Sequence, residues 1–543
     1  MHMRKIPQVK QHTLYLVLDL GIRSTLFLHL RSYSSPNLLI RSLPFFLWYS
    51  TMAKDHPTSS NFHHLCYFLF AFSILSSISF VYWSRCLAPC NTESTIALSK
   101  QSQSFDLLAY PSAWNHLSFS PNPPPRLLKI ALFVKRWPHR NLAGGLERHA
   151  LTLHLALARR GHEIHVFTTS SNSAFPDYPD AKIRFHPTPP SPAGYLNQAL
   201  AWEQFRIQNT TEKPFDVIHT ESVGLFHGRA RNLSHLAVSW HGIAYETIHS
   251  DIVQDLLRGP QEPRHPVLTE RVAKVIDEVK FFRDYAHHVA TSDHVGDVLK
   301  RIYMIPEERV HIIVNGVDED IYKPDAASGQ EFRRKVGVPD HATLVIGLAG
   351  RLVKDKGHPL IFEALKQVFM ENESFQRNIY VLVAGDGPWG NRYKELGPNL
   401  LVLGPLEQKQ LARFYNSLDI FINPTLRAQG LDHTFIEAML SGVSVMGTRF
   451  ASITGSLIVG PEIGYTFLPT VDSLKKCLYR ILVDGKGVLA KKGEVARNRA
   501  MQLFTAAKMA AAYERLFLCI SEGAKVKDNI DYCKYPLPWD RRR

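Results

Sequence analysis

Cysteine is scarce in this sequence, with six in 543 residues. The six are Cys66, Cys86, Cys90, Cys477, Cys519 and Cys533. No two of them form a CxxC pair, and no cysteine–histidine run has zinc-ligand spacing, so a zinc finger or zinc ribbon is excluded. Disulfide pairing in an oxidising compartment and free thiols are both compatible with this pattern.

The sequence also lacks a block of Lys and Arg and lacks the aromatic signature of an RNA-binding domain. Its 63 Lys and Arg nevertheless exceed its 49 Asp and Glu, which gives a formal charge of +14. Such a surplus suits phosphorylated ligands, an anionic membrane surface or nucleic acid. Because the specific nucleic-acid signals are missing, no nucleic-acid partner is expected.

Wholesale disorder is excluded by the composition, since 45% of the residues are hydrophobic and 21% are charged. A chain of 543 residues is too long for one hydrophobic core. Two globular domains with additional segments are therefore expected.

One apolar run, at residues 65–83, contains neither a charged residue nor a proline. Its length is close to the roughly 20 residues that a helix needs to cross a bilayer. Tyr67 and Phe68 lie near one end, and Tyr82 and Trp83 lie at the other. A cleaved signal peptide has a shorter apolar region followed by small residues. The run is therefore predicted to be an uncleaved transmembrane signal-anchor.

The segments around this run are predicted from their composition. Residues 1–64 are predicted to be a cytosolic tail, and residues 1–51, before Met52, are predicted to be a dispensable extension of it. Residues 84–126 are rich in Ser, Pro and Asn and are predicted to be a stem. Since most of the chain follows the single span, a type II topology with a lumenal catalytic part is expected. Three glycosylation sequons, at Asn209, Asn232 and Asn372, are compatible with a lumenal glycoprotein.

Residues 127–325 are predicted to form an N-terminal Rossmann-like lobe. A strand at 127–134 is followed by Gly144 and Gly145, a helix at 146–160 and a strand at 163–169. A strand–helix–strand unit of this kind requires a parallel sheet. The glycine pair then lies at the carboxyl edge of the sheet, where ligands bind in such folds. His241 directly follows a further strand at 236–240 and is expected at the same edge.

Residues 326–502 are predicted to form a second Rossmann-like lobe. A strand at 343–349 leads into a loop that carries Arg351 and Lys356, and a helix at 359–369 follows. Two cations on a loop that leaves a strand are suited to a diphosphate, and the N-terminus of the following helix adds a partial positive charge.

The segment from Arg427 to Met439 carries the strongest chemical signal. It passes from a strand end through Gly430 and Leu431 into a helix that Gly442 terminates. Amides at a helix start bind phosphate, and Glu437 lies about one turn further along. The carboxylate of Glu437 can accept hydrogen bonds from two ribose hydroxyls, whereas the alternative is a surface glutamate. A last helix is predicted at 497–520. Residues 503–543 are assigned to a crossover helix and a tail.

These motifs together resemble the GT-B glycosyltransferases of family four, which are retaining enzymes that use nucleotide sugars. The resemblance rests on the glycine pair, His241-Gly242, the NGVD run from Asn315 to Asp318, the loop of Arg351 and Lys356, and the segment Gly430 to Met439. The LRAQGLDHT run is similar to that of a plant subgroup with a Golgi-type anchor. The resemblance implies a Golgi membrane protein, with the endoplasmic reticulum as second choice.

The resemblance implies a role for each matching residue. Arg351 and Lys356 match the pair that binds the donor diphosphate, and Glu437 matches the carboxylate that holds the ribose. Gly144 and Gly145 match the loop facing the donor phosphate and sugar, and His241 matches a histidine near the transferred sugar. The first lobe would bind the acceptor and the second a UDP- or GDP-linked donor, with no cofactor or metal.

The sequence departs from the family pattern at Gln429, where the family has a Glu eight residues before Glu437. An amide still forms hydrogen bonds with sugar hydroxyls but carries no negative charge. Two alternatives to an active glycan transferase therefore stay open. One is a weak or inactive relative that binds a nucleotide sugar or acts as a scaffold, and the other is a lipid glycosyltransferase at the membrane face.

Overall fold

A computed structural model describes most of the chain from residue 126 to residue 522 and several short segments. The described residues are 16–19, 25–28, 105–106, 119, 124, 126–138, 144–170, 174–259, 261, 267–428, 430–522 and 532–535. The chain forms two units, Met1–Ser102 and Gln103–Arg543. The first unit contains an antiparallel strand pair, β1 (Leu16–Asp19) and β2 (Thr25–Leu28).

The predicted membrane span 65–83 lies outside the described residues, together with most of the predicted tail 1–64 and stem 84–126. Within the described part of the chain, no helix combines the length and the apolar character needed to cross a bilayer. The second unit begins with the short strand β3 (Phe105–Asp106).

The first lobe is built on a seven-stranded sheet in which all neighbouring strands are parallel. Its strands are β4 (Lys129–Phe133), β5 (Glu163–Thr169), β6 (Ile183–Thr188), β7 (Val217–Glu221), β8 (Leu236–Trp240), β9 (His287–Ala290) and β10 (Val310–Ile312). Their spatial order is β10-β9-β8-β7-β4-β5-β6. Every residue of β4, β7 and β8 is buried, as expected for central strands of a sheet covered on both faces.

Helices cover both faces of this sheet. They are α1 (Gly145–Arg159), α2 (Gln198–Thr211), α3 (His227–Ala230), α4 (Ala244–Leu256), α5 (Val267–Phe281) and α6 (Asp293–Arg301). The predicted strand–helix–strand unit is confirmed by β4, α1 and β5. Leu153 and Leu157 form part of the buried face of α1, and Gly161 follows its end with a φ of +101°, a conformation that favours glycine.

The second lobe contains a six-stranded parallel sheet with its own helices. Its strands are β11 (Leu344–Ala349), β12 (Ile379–Ala384), β13 (Leu400–Gly404), β14 (Ile420–Asn423), β15 (Ser444–Thr448) and β16 (Gly464–Phe467), in the spatial order β13-β12-β11-β14-β15-β16. Its helices are α7 (Ala326–Val336), α8 (His358–Glu371), α9 (Glu373–Asn378), α10 (Trp389–Tyr393), α11 (Gln408–Asn416) and α12 (His433–Leu440). Two parallel-sheet Rossmann-like lobes are therefore present, as the GT-B prediction requires.

The chain returns to the first lobe near its C-terminus through α13 (Val471–Leu503) and α14 (Ala506–Glu522). The prediction of one helix over 497–520 is wrong, because the chain breaks at Phe504 and Thr505. There the Val317 N–H donates to the Phe504 carbonyl at 2.9 Å, and the Ala506 N–H donates to the Val317 carbonyl at 2.8 Å. A Cβ on Gly316 would lie 2.4 Å from the Thr505 carbonyl oxygen, so only glycine fits at this crossing.

The C-terminal segment is attached to the first lobe. Tyr513 and Phe517 of α14 belong to the same hydrophobic core as the strands and α1 of that lobe. Cys519 forms a disulfide with Cys533, which precedes β17 (Lys534–Tyr535), the antiparallel partner of β3. Cys477 is free. The alternatives that the sequence left open for these three cysteines are thereby resolved.

Buried histidines should make the fold unstable in mild acid. Burial lowers the pKa of His154 and His358 to about 4 and of His288 to about 3. An unfolded histidine binds a proton near pH 6.5, so the unfolded state takes up protons that the folded state does not. Stability is therefore complete above about pH 6.5 and falls towards pH 4, by about 2 kcal/mol per histidine at pH 5. Urea denaturation at pH 7.5 and pH 5.0 measures this loss, and equal midpoints would contradict it.

Candidate functional site

A cleft of about 570 Å³ lies where strands of both lobes end. Ala349 and Ala384, the last residues of β11 and β12, form part of its wall, and His241 directly follows β8. This is the edge where ligands bind in parallel α/β folds. Seven of the residues that the sequence predicted as a site line the cleft: Gly144, Gly145, His241, Arg351, Lys356, Gly430 and Leu431.

The glycine pair places the N-terminus of α1 on the cleft wall. Gly144 is the N-cap residue and has no side chain to cap the first-turn amides. The helix dipole favours an anion at these amides, and the carboxylate of Glu147, which also lines the cleft, lies beside Gly144. A Cβ on Gly145 would lie 3.3 Å from Nδ1 of His433, so the glycine also lets the second lobe approach closely.

Arg351 and Lys356 lie on the opposite, second-lobe wall. Arg351 is exposed and makes no ion pair with any residue that the structure describes. Lys356 precedes Gly357, whose φ of +79° and close approach to Pro424 require glycine, since a Cβ there would lie 1.8 Å from the Pro424 carbonyl oxygen. α8 begins two residues after Lys356, and the buried ring of His358 contacts Tyr393 and the Arg351 carbonyl, so the contribution of this helix N-terminus to a diphosphate site stays a prediction.

Lys356 is already paired with a carboxylate that also lines the cleft. Its Nζ lies 2.5 Å from Oδ2 of Asp432, which further accepts hydrogen bonds from Asn423 and Thr434. Burial alone would raise the pKa of Asp432, but Lys356 outweighs that effect and holds the pKa well below its ordinary value. The carboxylate is therefore ionised, and a donor phosphate must share or displace it on Lys356.

Asp432 is also the N-cap residue of α12, and its side chain does not cap the helix amides. The start of α12 thus presents a second uncapped helix N-terminus to the cleft, through His433 and Thr434. Gly430 contributes both to the wall and to the lobe interface, because its Cβ would lie 2.0 Å from Oγ1 of Thr291 in the first lobe. Gln429 lies outside the described residues.

Glu437 is not on the cleft wall, in contrast to its predicted place beside a ribose. Its side chain is 1% exposed, and its carboxylate forms an ion pair with Arg148 and accepts a hydrogen bond from the Tyr415 hydroxyl at 2.8 Å. Arg148 belongs to α1 of the first lobe and itself lines the cleft. The guanidinium therefore lies between Glu437 and the cleft, and the ribose role of Glu437 stays a prediction.

His241 lies at the first-lobe side of the cleft, and its ring contacts a buried carboxylate. Its Nε2 lies 2.6 Å from Oε2 of Glu221, while Nδ1 of His149 lies 2.9 Å from Oε1 of the same residue. Glu221 and His149 are both fully buried. Burial lowers the pKa of His149, and the contact with Glu221 opposes this effect.

Two family models match this chain over successive segments. The model described as Glycosyltransferase Family 4 matches residues 143–321, and the model described as Glycosyl transferases group 1 matches residues 343–484. The chain belongs to the family-4, GT-B glycosyltransferases. The two matched segments contain every residue described above on the cleft wall.

Relatives of this glycosyltransferase are identical to it at about a quarter of the aligned positions. It is 27% identical to a D-inositol 3-phosphate glycosyltransferase of Xylanimonas cellulosilytica over 52% of this chain and 70% of the relative. It is 26% identical to an alpha-monoglucosyldiacylglycerol synthase of Streptococcus pneumoniae over 59% of this chain and 70% of that enzyme.

Two solved structures support the fold of this glycosyltransferase. The sucrose-phosphate synthase of Thermosynechococcus elongatus superimposes with a TM-score of 0.57 at 20% identity, covering 72% of this chain and all of that one. Anabaena HepE in complex with UDP and glucose matches with a TM-score of 0.51 at 16% identity, covering 72% and 99%.

Several cleft residues of this glycosyltransferase were given no role from the sequence, among them Arg148, Arg427, Asp432 and His433. Arg148 shares the first turn of α1 with the glycine pair, so its position in the helix was an available signal. Asp432 and His433 belong to the LRAQGLDHT run, but the side-chain direction of a loop residue is not visible in sequence. Arg427 forms an ion pair with Asp355 at 3.3 Å.

Proposed function

We propose that this glycosyltransferase moves a sugar from a UDP- or GDP-linked donor to a hydroxyl group of a glycan, glycoconjugate or lipid. The observation that carries the proposal is the convergence on one cleft of Arg351, which has no ion-pair partner among the described residues, and two helix N-termini without side-chain caps. Backbone amides and a free guanidinium suit the diphosphate of a nucleotide sugar.

The proposed reaction retains the anomeric configuration. The bond between the anomeric carbon and the diphosphate oxygen breaks, and its electron pair leaves with the phosphate. The acceptor oxygen bonds to the carbon on the same face, and the acceptor proton passes to the departing phosphate oxygen. Arg351, Lys356 and the helix amides stabilise the growing negative charge, as preorganised electrostatics usually does. Side-chain cations take the place of a divalent metal in this scheme.

The comparisons support a nucleotide-sugar donor and leave several acceptors open. HepE was solved with UDP and glucose, and the two curated relatives are named for inositol phosphate and for a glucosylated diacylglycerol. A soluble polar acceptor and a lipid acceptor are therefore both represented among proteins similar to this chain.

We place the protein in the Golgi membrane as a single-pass type II protein with a lumenal catalytic part, and the endoplasmic reticulum is the second choice. The Cys519–Cys533 disulfide favours an oxidising compartment such as the secretory pathway. The exposed sequon at Asn232 also fits a lumenal glycoprotein. The apolar run 65–83 supplies the proposed anchor.

A nucleotide-sugar-binding protein without transfer activity is the second candidate. Two cleft cations are already neutralised by carboxylates of this chain, since Lys356 pairs with Asp432 and Arg148 pairs with Glu437. Such pairing leaves less positive charge to stabilise a departing diphosphate. A transfer assay decides between the two candidates, because both predict donor binding.

A thermal-shift screen of the full chain with UDP- and GDP-sugars tests the proposed function. A true donor binds the folded state and raises the melting temperature, by the equivalent of about 2.7 kcal/mol at 100 times its dissociation constant. The same screen on Arg351→Ala should show a smaller shift with that donor. Donor hydrolysis or transfer is then measured with the nucleotide sugar that gives the largest shift.

Two results would count against the proposal. A wild-type protein that no nucleotide sugar stabilises has no donor site of the proposed kind. A protein that is stabilised but neither hydrolyses nor transfers the sugar is the inactive binder of the second candidate.

A further inference from the structure

Glu221 is a charged residue placed beneath the cleft rather than on its wall. It is the last residue of β7, it is fully buried, and each of its two carboxylate oxygens contacts one histidine. One of these, His241, reaches the cleft, and the other, His149, does not. Burial alone would raise the pKa of Glu221, but the two histidines outweigh it and hold the pKa well below its ordinary value.

An ionised carboxylate only accepts hydrogen bonds, so each histidine must present an N–H to Glu221. Nε2 of His241 therefore carries the proton, and in the neutral ring Nδ1 has a free lone pair. Nδ1 of His241 makes no hydrogen bond to any described residue. The buried contact thus decides which ring nitrogen is protonated and what the other can do.

A second layer of hydrogen bonds lies behind this group. His154 and His219 contact each other at 3.0 Å, and His219 contacts Ser239 at 2.8 Å. Ser239 in turn lies 2.6 Å from the hydroxyl of Tyr513 on α14. The helix that returns from the second lobe is therefore part of the framework below the cleft.

We propose that Glu221 is a positioning residue that holds His241 in the Nε2-protonated tautomer, so that Nδ1 accepts a hydrogen bond from a hydroxyl of the donor sugar. This inference rests on the proposed function, since it names a role within the same cleft. Glu221 itself touches no substrate and acts through the ring of His241.

Glu221→Gln in the full chain tests this role with nearly unchanged side-chain volume. A glutamine places an NH2 group where one of the two carboxylate oxygens lies, so one of the two histidine N–H groups loses its acceptor. Sugar transfer should fall on the order of 10- to 100-fold, as expected when a reacting group is misplaced. The affinity for free UDP or GDP should stay within about threefold, because the nucleoside diphosphate lacks the sugar that His241 faces. A structural role would weaken transfer and nucleotide binding together.

Tyr513→Phe is the matched control. It removes the hydroxyl contact with Ser239 in the second layer and leaves Glu221 and His241 in place. A slightly lower melting temperature is expected from the lost hydrogen bond, with transfer within about twofold of the wild type.

A pair of substitutions at His241 keeps the test decisive if Glu221→Gln fails to fold. The amide of His241→Asn lies near the position of Nδ1 and offers an acceptor to the cleft, whereas the amide of His241→Gln lies near Nε2 and reaches only Glu221. We expect His241→Asn to retain at least about fivefold more transfer activity than His241→Gln. Equal activities, or more activity in His241→Gln, would overturn the tautomer assignment.

The outcomes separate this inference from the proposed function. An active wild type with an equally active Glu221→Gln variant overturns the positioning role alone. Parallel losses of transfer and of UDP or GDP affinity also overturn it, because they indicate structural damage. A wild type that binds no nucleotide sugar overturns the proposed function, and with it the role of His241 toward a sugar.

Discussion

Replacing Arg351 with alanine should lower sugar transfer by about 100- to 1000-fold, the usual cost of removing one preorganised donor from a developing anion. Arg351 lines the cleft, is exposed to it and makes no ion pair within the described part of the chain. Its charge is therefore fully available to the departing diphosphate. Steady-state kinetics with the donor found by thermal shift measures the effect, which should fall mainly on kcat.

Lys354→Ala is the control for this experiment. Lys354 is exposed in the same short loop but is not part of the cleft wall. It should transfer sugar at a rate within about twofold of the wild type, since exposed charges act weakly across solvent. Normal kinetics in Arg351→Ala would refute the placement of the departing diphosphate beside Arg351.

The ion pair between Lys356 and Asp432 allows a test with a double variant. Removal of Lys356 leaves ionised Asp432 without its cation, facing the position of the phosphate. Lys356→Ala should therefore lose donor affinity through both the lost attraction and the new repulsion. The double variant Lys356→Ala with Asp432→Asn removes that repulsion and should recover part of the affinity. A double variant no better than the single one would show that Asp432 does not face the phosphates.

Replacing Arg148 with methionine should destabilise the protein by about 3–5 kcal/mol, because the change leaves Glu437 buried without a compensating charge. The pair joins α1 of the first lobe to α12 of the second, with side chains that are 17% and 1% exposed. The change should also loosen the contact between the lobes. Urea denaturation followed by both circular dichroism and tryptophan fluorescence measures the loss and shows whether the lobes still unfold together.

Two further variants make the reason for that loss testable. The double variant Arg148→Met with Glu437→Gln leaves no buried unpaired charge, so it should regain most of the lost stability. Arg159→Met is the control on the same helix, because its ion pair with Asp180 is 51% and 56% exposed and should contribute less than about 1 kcal/mol. Equal losses in Arg148→Met and Arg159→Met would contradict the assignment of a buried ion pair between the lobes.

Much of the sheet structure was visible in the sequence. The strands at 163–169 and 236–240 have the bounds that their apolar runs predicted. β6 was not predicted, because it is an edge strand whose residues are mostly half-buried and which contains Pro187. Burial on both faces leaves a continuous apolar signal, whereas an edge strand leaves little.

The errors at the C-terminus arise from long-range contacts. The predicted helix over 497–520 has a continuous local pattern, yet the chain breaks where Thr505 meets the loop of Gly316 and Val317. The NGVD run that follows β10 also makes a long-range contact, since the Asn315 side chain donates to the Leu431 carbonyl. Local propensity does not contain either contact.

The sequence by itself determined the two parallel-sheet lobes and the residues that lie at their carboxyl edges, including the glycine pair, His241 and Arg351. It could do so because apolar periodicity and the position of a residue after a strand are local properties of the chain. Only the tertiary structure decided which charges neutralise one another. The Arg148–Glu437 pair joins residues 289 positions apart, and the cation of Lys356 is met by a carboxylate 76 positions away. Such pairing depends on how the two lobes and their loops come together, and no local pattern encodes it.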